Sequence, residues 1–578
     1  MKRLLSYIKK YKALVIIPFI SMLFAIILDM FNPYLVKIII DRVLKGREYS
    51  ILNLVLLALA AITVGRAVLG YIKEYLSDLL AVRVAQDLKQ DLFDHIQSLP
   101  FSYFDNMNTG ELMSRIGEDV DNIWRTIAFG LRLFIENIIC FVIATSILFY
   151  LSWKLTLFCI IALPPIAFLA MQLEKKIGQS FENISDHNAV LSTTAQENIA
   201  GVRLVKAFSR EKHEILKFLE LNKKNYDLNV EQSNIIAKYF PPMELFTNIS
   251  IVLMISLGGI LVIKDNISLG TLVAFNGYIW SLIWPLRMLG WLTNMLAQNN
   301  ASAKKIFKIL DLEPAIKDNE ACVTTNTIKG AIEFKNVSFK YKEDFVLRDL
   351  SIKAKSGSTV AIMGTTGSGK SSIINLIGRY YDVQEGKVSV DGINVKNICL
   401  KDLRSSMSVV SQDVFLFSDS IEANIRFGKE DATEEEIKEA CRIACASEFI
   451  DELEEGFQTV IGERGIGLSG GQKQRISIAR ALVSDASILV LDDATSALDM
   501  ETEYELLKNL HDKKNKPTTF IIAHRISAVK NADQIIFLEN GHIVEKGTHS
   551  ELLEKRGKYY EVYCEQFKDF EQVEGEVV

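Results

Sequence analysis

The stretch TVAIMGTTGSGKSS, from Thr359 to Ser372, joins a run of aliphatic residues to a glycine-rich loop and a helix start. From Gly364 onward it follows the pattern Gly-x4-Gly-Lys-Ser, which fits a phosphate-binding P-loop in full. Glycines permit the left-handed turns that aim successive backbone N–H groups inward, and the following helix contributes its positive end. The stretch predicts a nucleoside triphosphate site on an α/β domain. A chance glycine-rich turn is the weaker interpretation, because the strand–loop–helix context is complete.

A second stretch, ILVLDDATSALD, runs from Ile488 to Asp499 and ends an aliphatic strand at two adjacent carboxylates. Carboxylates at the tip of an apolar strand need a cation, and Mg²⁺ beside the P-loop would supply one. We expect Asp492 and the Ser371 hydroxyl to bind this ion, while Asp493 faces the terminal phosphate. The ATP contacts predicted in the P-loop are Gly364, Thr365, Thr366, Gly367, Ser368, Gly369, Lys370, Ser371 and Ser372.

Between these two motifs lies LSGGQKQR, from Leu468 to Arg475, followed by a helix-forming segment. Glycines here allow close backbone approach, and the helix start behind Ser469 can bind phosphate. The phosphate contacts predicted in this motif are Ser469, Gly470, Gly471 and Gln472. Because the domain already has a P-loop, we infer that this second element serves the nucleotide of another domain.

Composition limits the remaining possibilities. A chain of 578 residues is too long for a single core, so two or more domains are expected. Hydrophobic residues make up 49% of it and its mean hydropathy is +0.17, while charged residues still contribute 24%. The net charge of −6 gives no support to nucleic-acid binding. The seven cysteines do not pair by spacing and form no CxxC motif, so we expect thiols in a reducing compartment rather than a zinc site.

The apolar excess lies in the first 310 residues, where windows of roughly 20 residues give candidate membrane spans. A large soluble helical bundle is a poor alternative, because such spans would leave little polar surface. Residues 1–12 alternate basic and apolar side chains, which predicts an interfacial helix and a cytoplasmic amino terminus rather than a cleaved signal. The six predicted spans are Ala13–Ile40, Ile51–Tyr71, Phe134–Leu151, Leu155–Leu173, Met243–Ile263 and Leu269–Leu292.

Two long, charged connections, 73–132 and 174–238, keep helical periodicity, so we expect membrane helices to extend into the cytoplasm. Each contains a predicted break, at Asn108–Trp124 and at Glu197–Glu211. The polar, aperiodic segment that follows and contains Pro314 is predicted to be a linker. The expected division is a transmembrane domain at 1–312, a linker at 313–329, a nucleotide-binding domain at 330–567 and a frayed acidic tail at 568–578.

The chain resembles the ATP-binding cassette (ABC) half-transporters of the bacterial multidrug and lipid exporter type. The resemblance rests on the signature LSGGQ, which lies between a P-loop and a strand ending in carboxylates, and on the six predicted spans. The resemblance covers essentially the whole chain. It implies an all-α six-helix membrane domain followed by an α/β P-loop cassette in the cytoplasm, in a multi-pass protein of the cytoplasmic membrane. It also implies that two cassettes dimerise head to tail and enclose ATP and Mg²⁺ between the P-loop of one and the signature of the other.

The same resemblance assigns further residues. Tyr341 is similar to the aromatic that stacks on adenine, and Gln412 to the Q-loop residue that senses Mg²⁺ and the membrane domain. His524 is similar to the switch histidine that contacts the γ-phosphate, and Ser496–Asp499 to the D-loop. Glu463 and Arg464 resemble part of the exporter-specific loop beside the signature. The segments Glu111–Asp121 and Gly201–Phe208 resemble the coupling helices.

Asp493 departs from the family pattern, in which the residue after the Walker B aspartate is usually a glutamate that polarises the attacking water. Aspartate is one methylene shorter, and a misplacement of about 1 Å can cost on the order of a hundredfold in rate. One interpretation is a tolerated swap in a slower, working site of a homodimer. The other is a degenerate ATP site, in a chain that pairs with a different half-transporter whose glutamate completes the competent site. His524 weighs mildly against degeneracy.

Ionisable residues at membrane depth are candidates for substrate contact. Simple pairing is the alternative for each, for example between Arg132 and Glu136 four residues apart. Aromatic side chains on the sixth span suit hydrophobic or cationic compounds but equally suit helix packing or an interfacial belt. The predicted substrate is a small amphipathic compound; a lipid flippase, and a nucleotide-gated channel or regulator, remain alternatives. The charged candidates are Asp29, Arg132, Glu136, Glu244 and Arg287, and the aromatic ones are Phe275, Tyr278, Trp280, Trp284 and Trp291.

Overall fold

A computed structural model describes residues 2–161, 163–318, 322–325, 327–462, 465, 467–513 and 515–575. The chain forms two units. The membrane unit comprises Met1–Ser98 and Asn108–Leu312, and the nucleotide-binding unit comprises Leu99–Met107 and Glu313–Val578. The segment Leu99–Met107 thus belongs with the second unit although it lies early in the sequence.

Helices make up the chain before Leu312. In chain order they are α1 (Lys2–Lys10), α2 (Lys12–Ile38), α3 (Leu52–Ser98), α4 (Phe101–Phe104), α5 (Thr109–Ser114), α6 (Val120–Arg125), α7 (Leu131–Ile161), α8 (Leu163–Ala200), α9 (Val202–Ala207), α10 (Glu211–Ile263) and α11 (Leu269–Leu310).

Within the described residues, five helical stretches are long and apolar enough to cross a membrane: Lys12–Lys45, Tyr49–Ser98, Thr109–Ile161, Glu211–Ile263 and Leu269–Leu310. The predicted span Leu155–Leu173 runs through residue 162, which lies outside the described residues, and it is helical on both sides. The extended backbone of Ser152 (φ −166°) interrupts α7 at the predicted link between the third and fourth spans. Many apolar side chains on these helices face outward, as a lipid-exposed surface requires.

The long cytoplasmic extensions are helical, as the periodicity predicts: α3 continues to Ser98, and α8 and α10 meet at the short helix α9. Asn108 caps α5, its side chain accepting a hydrogen bond from the Gly110 amide. The two coupling-helix assignments, Glu111–Asp121 and Gly201–Phe208, stay predictions. Glu111–Asp121 is part of the membrane unit, whereas α4 and its flanks belong to the nucleotide-binding unit.

The nucleotide-binding unit alternates strands and helices, as the sequence predicts. Its strands are β1 (Ile332–Lys340), β2 (Phe345–Ala354), β3 (Thr359–Gly364), β4 (Glu385–Val390), β5 (Ile393–Asn394), β6 (Met407–Val410), β7 (Ile488–Asp492), β8 (Thr518–Ile522), β9 (Gln534–Glu539) and β10 (His542–Gly547). Its helices after the linker are α12 (Lys370–Ile377), α13 (Leu400–Ser405), α14 (Ile421–Arg426), α15 (Glu434–Ile443), α16 (Ser447–Asp451), α17 (Gly470–Val483), α18 (Met500–His511), α19 (Ile526–Val529), α20 (His549–Lys555) and α21 (Lys558–Gly575).

Two sheets organise this unit. One has the order β2-β1-β4-β5 with antiparallel pairing, and the other has the order β10-β9-β3-β8-β7-β6. In the second sheet β9, β3, β8, β7 and β6 run parallel, and β10 is antiparallel. The central strands β3, β7 and β8 are buried on both faces, which explains why their sequences are almost continuously apolar.

One expectation about the chain outside the sheets is wrong. Cys322 and Cys399 form a disulfide across 77 residues, so not all cysteines are thiols. Sequence spacing could not reveal this pair, because the fold brings the linker back to the loop before α13. Helix α21 continues to Gly575, within the predicted acidic tail, and residues 576–578 lie outside the described residues.

Candidate nucleotide-binding site

The parallel sheet gathers the predicted site at one edge. Pairing aligns Asp492 with Ile522, and Ile522 in turn with Ile362. The paired residues Ile362, Asp492 and Ile522 thus lie side by side across the sheet. The P-loop, Asp493 and His524 follow them by one or two residues. Gln412 follows the carboxyl end of β6, the next strand in the same sheet. This edge is where open α/β sheets place their ligands.

The P-loop requires its glycines. Gly364 and Gly369 have φ angles of +145° and +97°, conformations that side-chain-bearing residues rarely adopt. A Cβ on Gly364 would come within 2.1 Å of the Leu538 carbonyl oxygen, so the loop could not turn there with any other residue. Gly369 forms the N-cap of α12, whose first residue is Lys370. The free amides of the first turn consequently lie at the loop, where they suit a phosphate group.

Lys370 crosses the loop that precedes it. Its ammonium group donates hydrogen bonds to the carbonyl oxygens of Gly364 at 2.9 Å and Thr365 at 2.8 Å. Burial lowers the pKa of Lys370, and the carboxylates of Asp492 and Asp493 oppose that shift. Both carboxylates are thus close enough to interact electrostatically with the lysine. The Ser368 hydroxyl, also in the loop, is buried and makes no hydrogen bond to the described residues.

Asp492 and Ser371 bring a carboxylate and a hydroxyl together, the oxygen groups that could hold a hard cation. Burial raises the pKa of Asp492, the hydrogen bond from Ser371 lowers it, and the neighbouring Asp493 raises it again. A bound cation would relieve the cost of burying this carboxylate. No group of three or more His, Cys, Asp or Glu side chains suited to a metal occurs in the described part of the chain. Mg²⁺ held by one carboxylate, one hydroxyl, phosphate oxygens and water needs no such group.

Tyr341 is held from three sides beside the P-loop. Its hydroxyl shares a hydrogen bond with the Ser372 hydroxyl at 3.0 Å and accepts one from Asn375 at 3.3 Å. Its ring makes edge contacts with Phe339 and Tyr381, with centroid separations of 4.7 and 5.0 Å. The side chain remains 43% exposed. A fixed, partly open aromatic ring next to the phosphate loop is suited to stacking on a base.

Asp493 begins the turn after β7. It adopts a left-handed backbone conformation with φ of +49°, which aspartate tolerates better than most residues. Its amide donates to the Ile522 carbonyl oxygen at 2.9 Å, and its own carbonyl accepts from the Ser496 hydroxyl at 2.9 Å. The backbone of Asp493 is therefore held between β8 and the D-loop.

The signature motif begins helix α17. Ser469 is its N-cap, and Ser469 and Gln472 form a capping box: the serine hydroxyl accepts from the Gln472 amide, and the glutamine side chain accepts from the Ser469 amide. A Cβ on Gly471 would approach the Ala497 carbonyl oxygen to 3.0 Å, while one on Gly470 would contact the Ala497 Cβ at 3.6 Å. The glycines thus let the signature pack closely against the D-loop.

Two residues that sequence reasoning missed hold the D-loop. The Gln474 side chain donates to the Ser496 hydroxyl at 3.2 Å and accepts from the Ala497 amide at 3.0 Å. Arg525, next to His524, donates to the carbonyl oxygens of Leu498 and Ser496 at 3.1 and 3.3 Å. No local motif marks these roles. Glu463 and Arg464, assigned to the exporter-specific loop, lie outside the described residues.

The segment Leu99–Met107 is a further element that the sequence reading missed. The ring of Phe101 lies against Tyr380, with centroids 4.6 Å apart, and the Tyr381 hydroxyl donates a hydrogen bond to Asp105. Tyr381 also contacts Tyr341, so one hydrogen bond and one aromatic contact connect this segment to the predicted adenine-stacking residue. The Leu-Pro break followed by FSYF was the available signal.

In the membrane unit, each candidate charge has a partner. Asp29 pairs with Arg66, Arg132 pairs with Glu74, and the Glu136 carboxylate accepts from the Lys73 ammonium at 2.9 Å. Arg287 donates to Glu244 at 2.7 Å and to Thr247 at 2.6 Å. The expected alternative, pairing between Arg132 and Glu136, is therefore wrong, because both residues of α7 pair with α3 instead.

The aromatic residues of α11 divide into two groups. Phe275 and Tyr278 are fully buried, and the Tyr278 hydroxyl donates to the Met30 carbonyl oxygen, so these two pack the helix core. Trp280, Trp284 and Trp291 are 44%, 55% and 37% exposed. Only the tryptophans remain candidates for a lipid or substrate surface.

Comparison with known proteins extends these observations to the whole chain. The family model of the ABC transporter transmembrane region matches residues 15–286, and that of the ABC transporter matches residues 347–496. The uncharacterized ABC transporter ATP-binding protein YknU of Bacillus subtilis is 39% identical, over 99% of this chain and 98% of its own.

Two other relatives carry functional names. The ATP-dependent lipid A-core flippase of Syntrophus aciditrophicus is 36% identical, over 98% of this chain and 94% of its own. YgaD of Bacillus subtilis, a proposed multidrug export ATP-binding/permease protein, is 35% identical over 97% and 98%. The solved structure of a bacterial Atm1-family ABC exporter with ATP bound is similar with a TM-score of 0.82 and 27% identity, covering 96% of this chain and 98% of that one.

Proposed function

Because this chain belongs to the ABC transporter family, with the membrane region and the ATP-binding region in one polypeptide, we propose that it exports hydrophobic or amphipathic compounds as one half of a heterodimer with one degenerate ATP site. The ATPase domain binds ATP, and ABC half-transporters of this kind work as dimers. The observation that carries the finer proposal is Asp493, a short carboxylate at the position that follows the Walker B aspartate.

In the proposed site, the P-loop amides and Lys370 hold the β- and γ-phosphates, and Tyr341 stacks on the base. Mg²⁺, when bound, neutralises developing charge between these phosphates. Ser371, Asp492 and Gln412 are its proposed protein contacts. His524 follows β8 at the same edge of the sheet, and its proposed partner is the γ-phosphate. These assignments are supported by the common strand edge and by the electrostatic contacts among Lys370, Asp492 and Asp493.

The signature belongs to the other nucleotide in this proposal. Ser469 caps α17, and its hydroxyl and amide are hydrogen-bonded to Gln472. The 14-residue helix is long enough to present a positive end to phosphate. Closing two cassettes head to tail around ATP would set this positive end against the partner's P-loop.

The degenerate site follows from the length of Asp493. Its backbone is fixed on both sides by Ile522 and Ser496, so the side chain cannot recover the missing methylene by a shift of the turn. A carboxylate that stops about 1 Å short of the water is a weak general base. ATP binding does not depend on that distance, so this site would hold nucleotide while the partner's site hydrolyses it.

The purified wild-type chain and two variants of it test this proposal. The chain alone should hydrolyse ATP slowly, and Asp493→Glu should raise the rate on the order of tenfold to a hundredfold by restoring the reach of the carboxylate. Asp493→Asn, which keeps the short length and removes the charge, is the matched control and should not raise it. Strong turnover by the chain alone, little changed by Asp493→Glu, would refute the degenerate site.

The pairing itself needs a second experiment. The chain should be co-expressed with half-transporters of the same genome that carry glutamate after the Walker B aspartate. In the resulting complex, replacing the partner's glutamate by glutamine should abolish turnover, while Asp493→Asn should change it little. Equal losses from the two substitutions would favour two working sites.

Lipid flipping is a second candidate function, favoured by the names of relatives that are 36% and 35% identical. Proteoliposomes that contain either a fluorescent phospholipid or a cationic dye separate the two. Dye accumulation driven by ATP, without lipid translocation, would support export of amphipathic compounds. Translocation of the lipid alone would replace that proposal with flipping.

A further inference from the structure

The linker that enters the nucleotide-binding unit is covalently attached to that unit. Cys322 and Cys399 form a disulfide with their Cα atoms 5.1 Å apart. Cys399 is 9% exposed, and Cys322 is more accessible. The bond spans 77 residues, which include the whole P-loop. Such a bond is unexpected in an ATPase domain that faces the cytoplasm, where thiols are kept reduced.

The two cysteines are brought together by backbone pairing, independently of the bond between them. Val323 forms a parallel bridge with Ile398. Its amide donates to the Asn397 carbonyl oxygen at 2.7 Å, and its carbonyl accepts from the Cys399 amide at 3.3 Å. Reduction would therefore leave the two thiols adjacent, ready to form the bond again.

The attachment point leads directly into the nucleotide site. Cys399 is the N-cap of α13, and Asp402 in that helix accepts a hydrogen bond from the Thr325 amide of the linker at 3.1 Å. Helix α13 runs into β6, and Gln412 follows that strand. A covalent link at Cys399 thus fixes the linker to the element that precedes the proposed Mg²⁺-sensing residue.

We propose that Cys322 and Cys399 are a reversible redox modification site, a thiol pair that locks the linker onto the nucleotide-binding unit when oxidised. Disulfides in reducing compartments are usually transient and redox-sensing, and a pair held together by neighbouring backbone bonds suits repeated exchange. The lock is independent of the substrate and of the Asp493 proposal. When the pair is reduced, hydrogen bonds and the packing of Ile328 against the core still hold the linker, and local opening near Val323 becomes possible.

The exchange partner is a low-molecular-weight disulfide. The thiolate of Cys322, the more accessible of the two, attacks it, forms a mixed disulfide and releases one small thiol. The Cys399 thiolate then attacks the Cys322 sulfur and releases the second small thiol. Each protein thiol gives up one proton and the pair gives up two electrons, which reduce the small disulfide to two thiols. Excess small thiol reverses both steps.

The test uses the full chain in detergent, equilibrated in mixtures of reduced and oxidised glutathione, then alkylated and digested without reductant. A linked peptide containing Cys322 and Cys399 should form in the oxidising mixtures and disappear in the reducing ones. Cys564→Ser, which changes a partly exposed free thiol, is the matched control and should leave this transition unchanged. Independent alkylation of both cysteines in every mixture would overturn the proposal.

Amide hydrogen exchange supplies a readout that does not depend on activity. Oxidation should slow exchange at Val323, Thr325 and Cys399 on the order of tenfold or more, because opening of the linker then requires the covalent loop to move as a whole. Cys322→Ser should show the reduced pattern under all conditions, with Cys399→Ser as a second variant if the first folds poorly. Equal exchange rates in the oxidised and reduced wild-type chain would also overturn the proposal.

Discussion

Gln474 offers a direct measure of how the signature helix holds the D-loop. Its side chain, 5% exposed, makes two hydrogen bonds to the loop, with Ser496 and Ala497. Gln474→Ala removes both, and each is worth about 0.5–1.5 kcal/mol, or roughly 1–3 kcal/mol together. Water can replace part of this, since Ser496 and Ala497 are exposed and the Ser496 hydroxyl also donates to Asp493. We therefore expect Gln474→Ala to destabilise the D-loop by the lower end of this range, about 1 kcal/mol.

A loss of about 1 kcal/mol corresponds to roughly fivefold faster local opening of the D-loop. Hydrogen exchange at the Ala497 amide, measured on the full chain at fixed pH, reports this directly. Gln474→Glu is the matched control, because it keeps the acceptor for that amide and loses only the donor to Ser496, so its exchange should stay near the wild-type rate. Unchanged exchange in Gln474→Ala, or equal acceleration in both variants, would show that the glutamine does not hold the loop.

Three further predictions follow from the described contacts. Burial raises the pKa of Asp492, so this side chain becomes protonated at a higher pH than an exposed aspartate. On acidification in that range, the affinity for Mg²⁺-nucleotide should fall, while the free energy of unfolding of the unliganded protein should increase. Calorimetric titration of Asp492→Asn should show neither pH dependence. Ser469→Ala and Thr433→Ala each remove a capping box, at α17 and α15, so both should lower the melting temperature by roughly 2–4 °C, but only Ser469→Ala should reduce ATP turnover of the dimer. Lys73→Met leaves Glu136 without its partner at 2.9 Å and should lower the melting temperature in detergent. Combining Lys73→Met with Glu136→Leu should recover most of that loss. A double variant no more stable than Lys73→Met alone would show that the two residues are not coupled.

The parts of the fold that local chemistry determines were predictable. The P-loop turn follows from its glycines, and the break at Ser152 follows from the lengths of the two apolar runs on either side of it. The edge that gathers Asp492 and His524 also follows, because parallel strands align their carboxyl ends. These predictions needed no knowledge of which distant segments meet.

The misses all depend on distant segments. The disulfide joins residues 77 positions apart, and no spacing pattern indicates which loop returns to the linker. Lys73 and Glu136 lie on different helices, so the i,i+4 proximity of Arg132 pointed to the wrong pair. The grouping of Leu99–Met107 with the second unit likewise depends on contacts between segments more than 270 residues apart, such as the hydrogen bond from Tyr381 to Asp105.

The pairing of the intramembrane charges has an electrical consequence. Asp29 with Arg66, Glu136 with Lys73, and Glu244 with Arg287 each combine one acid and one base, so a rigid shift of these pairs carries no net charge through the bilayer field. Moving one unpaired charge through 100 mV would be worth about 2.3 kcal/mol. Transport of an uncharged compound should accordingly be insensitive to membrane voltage, and any voltage dependence would come from the cargo itself.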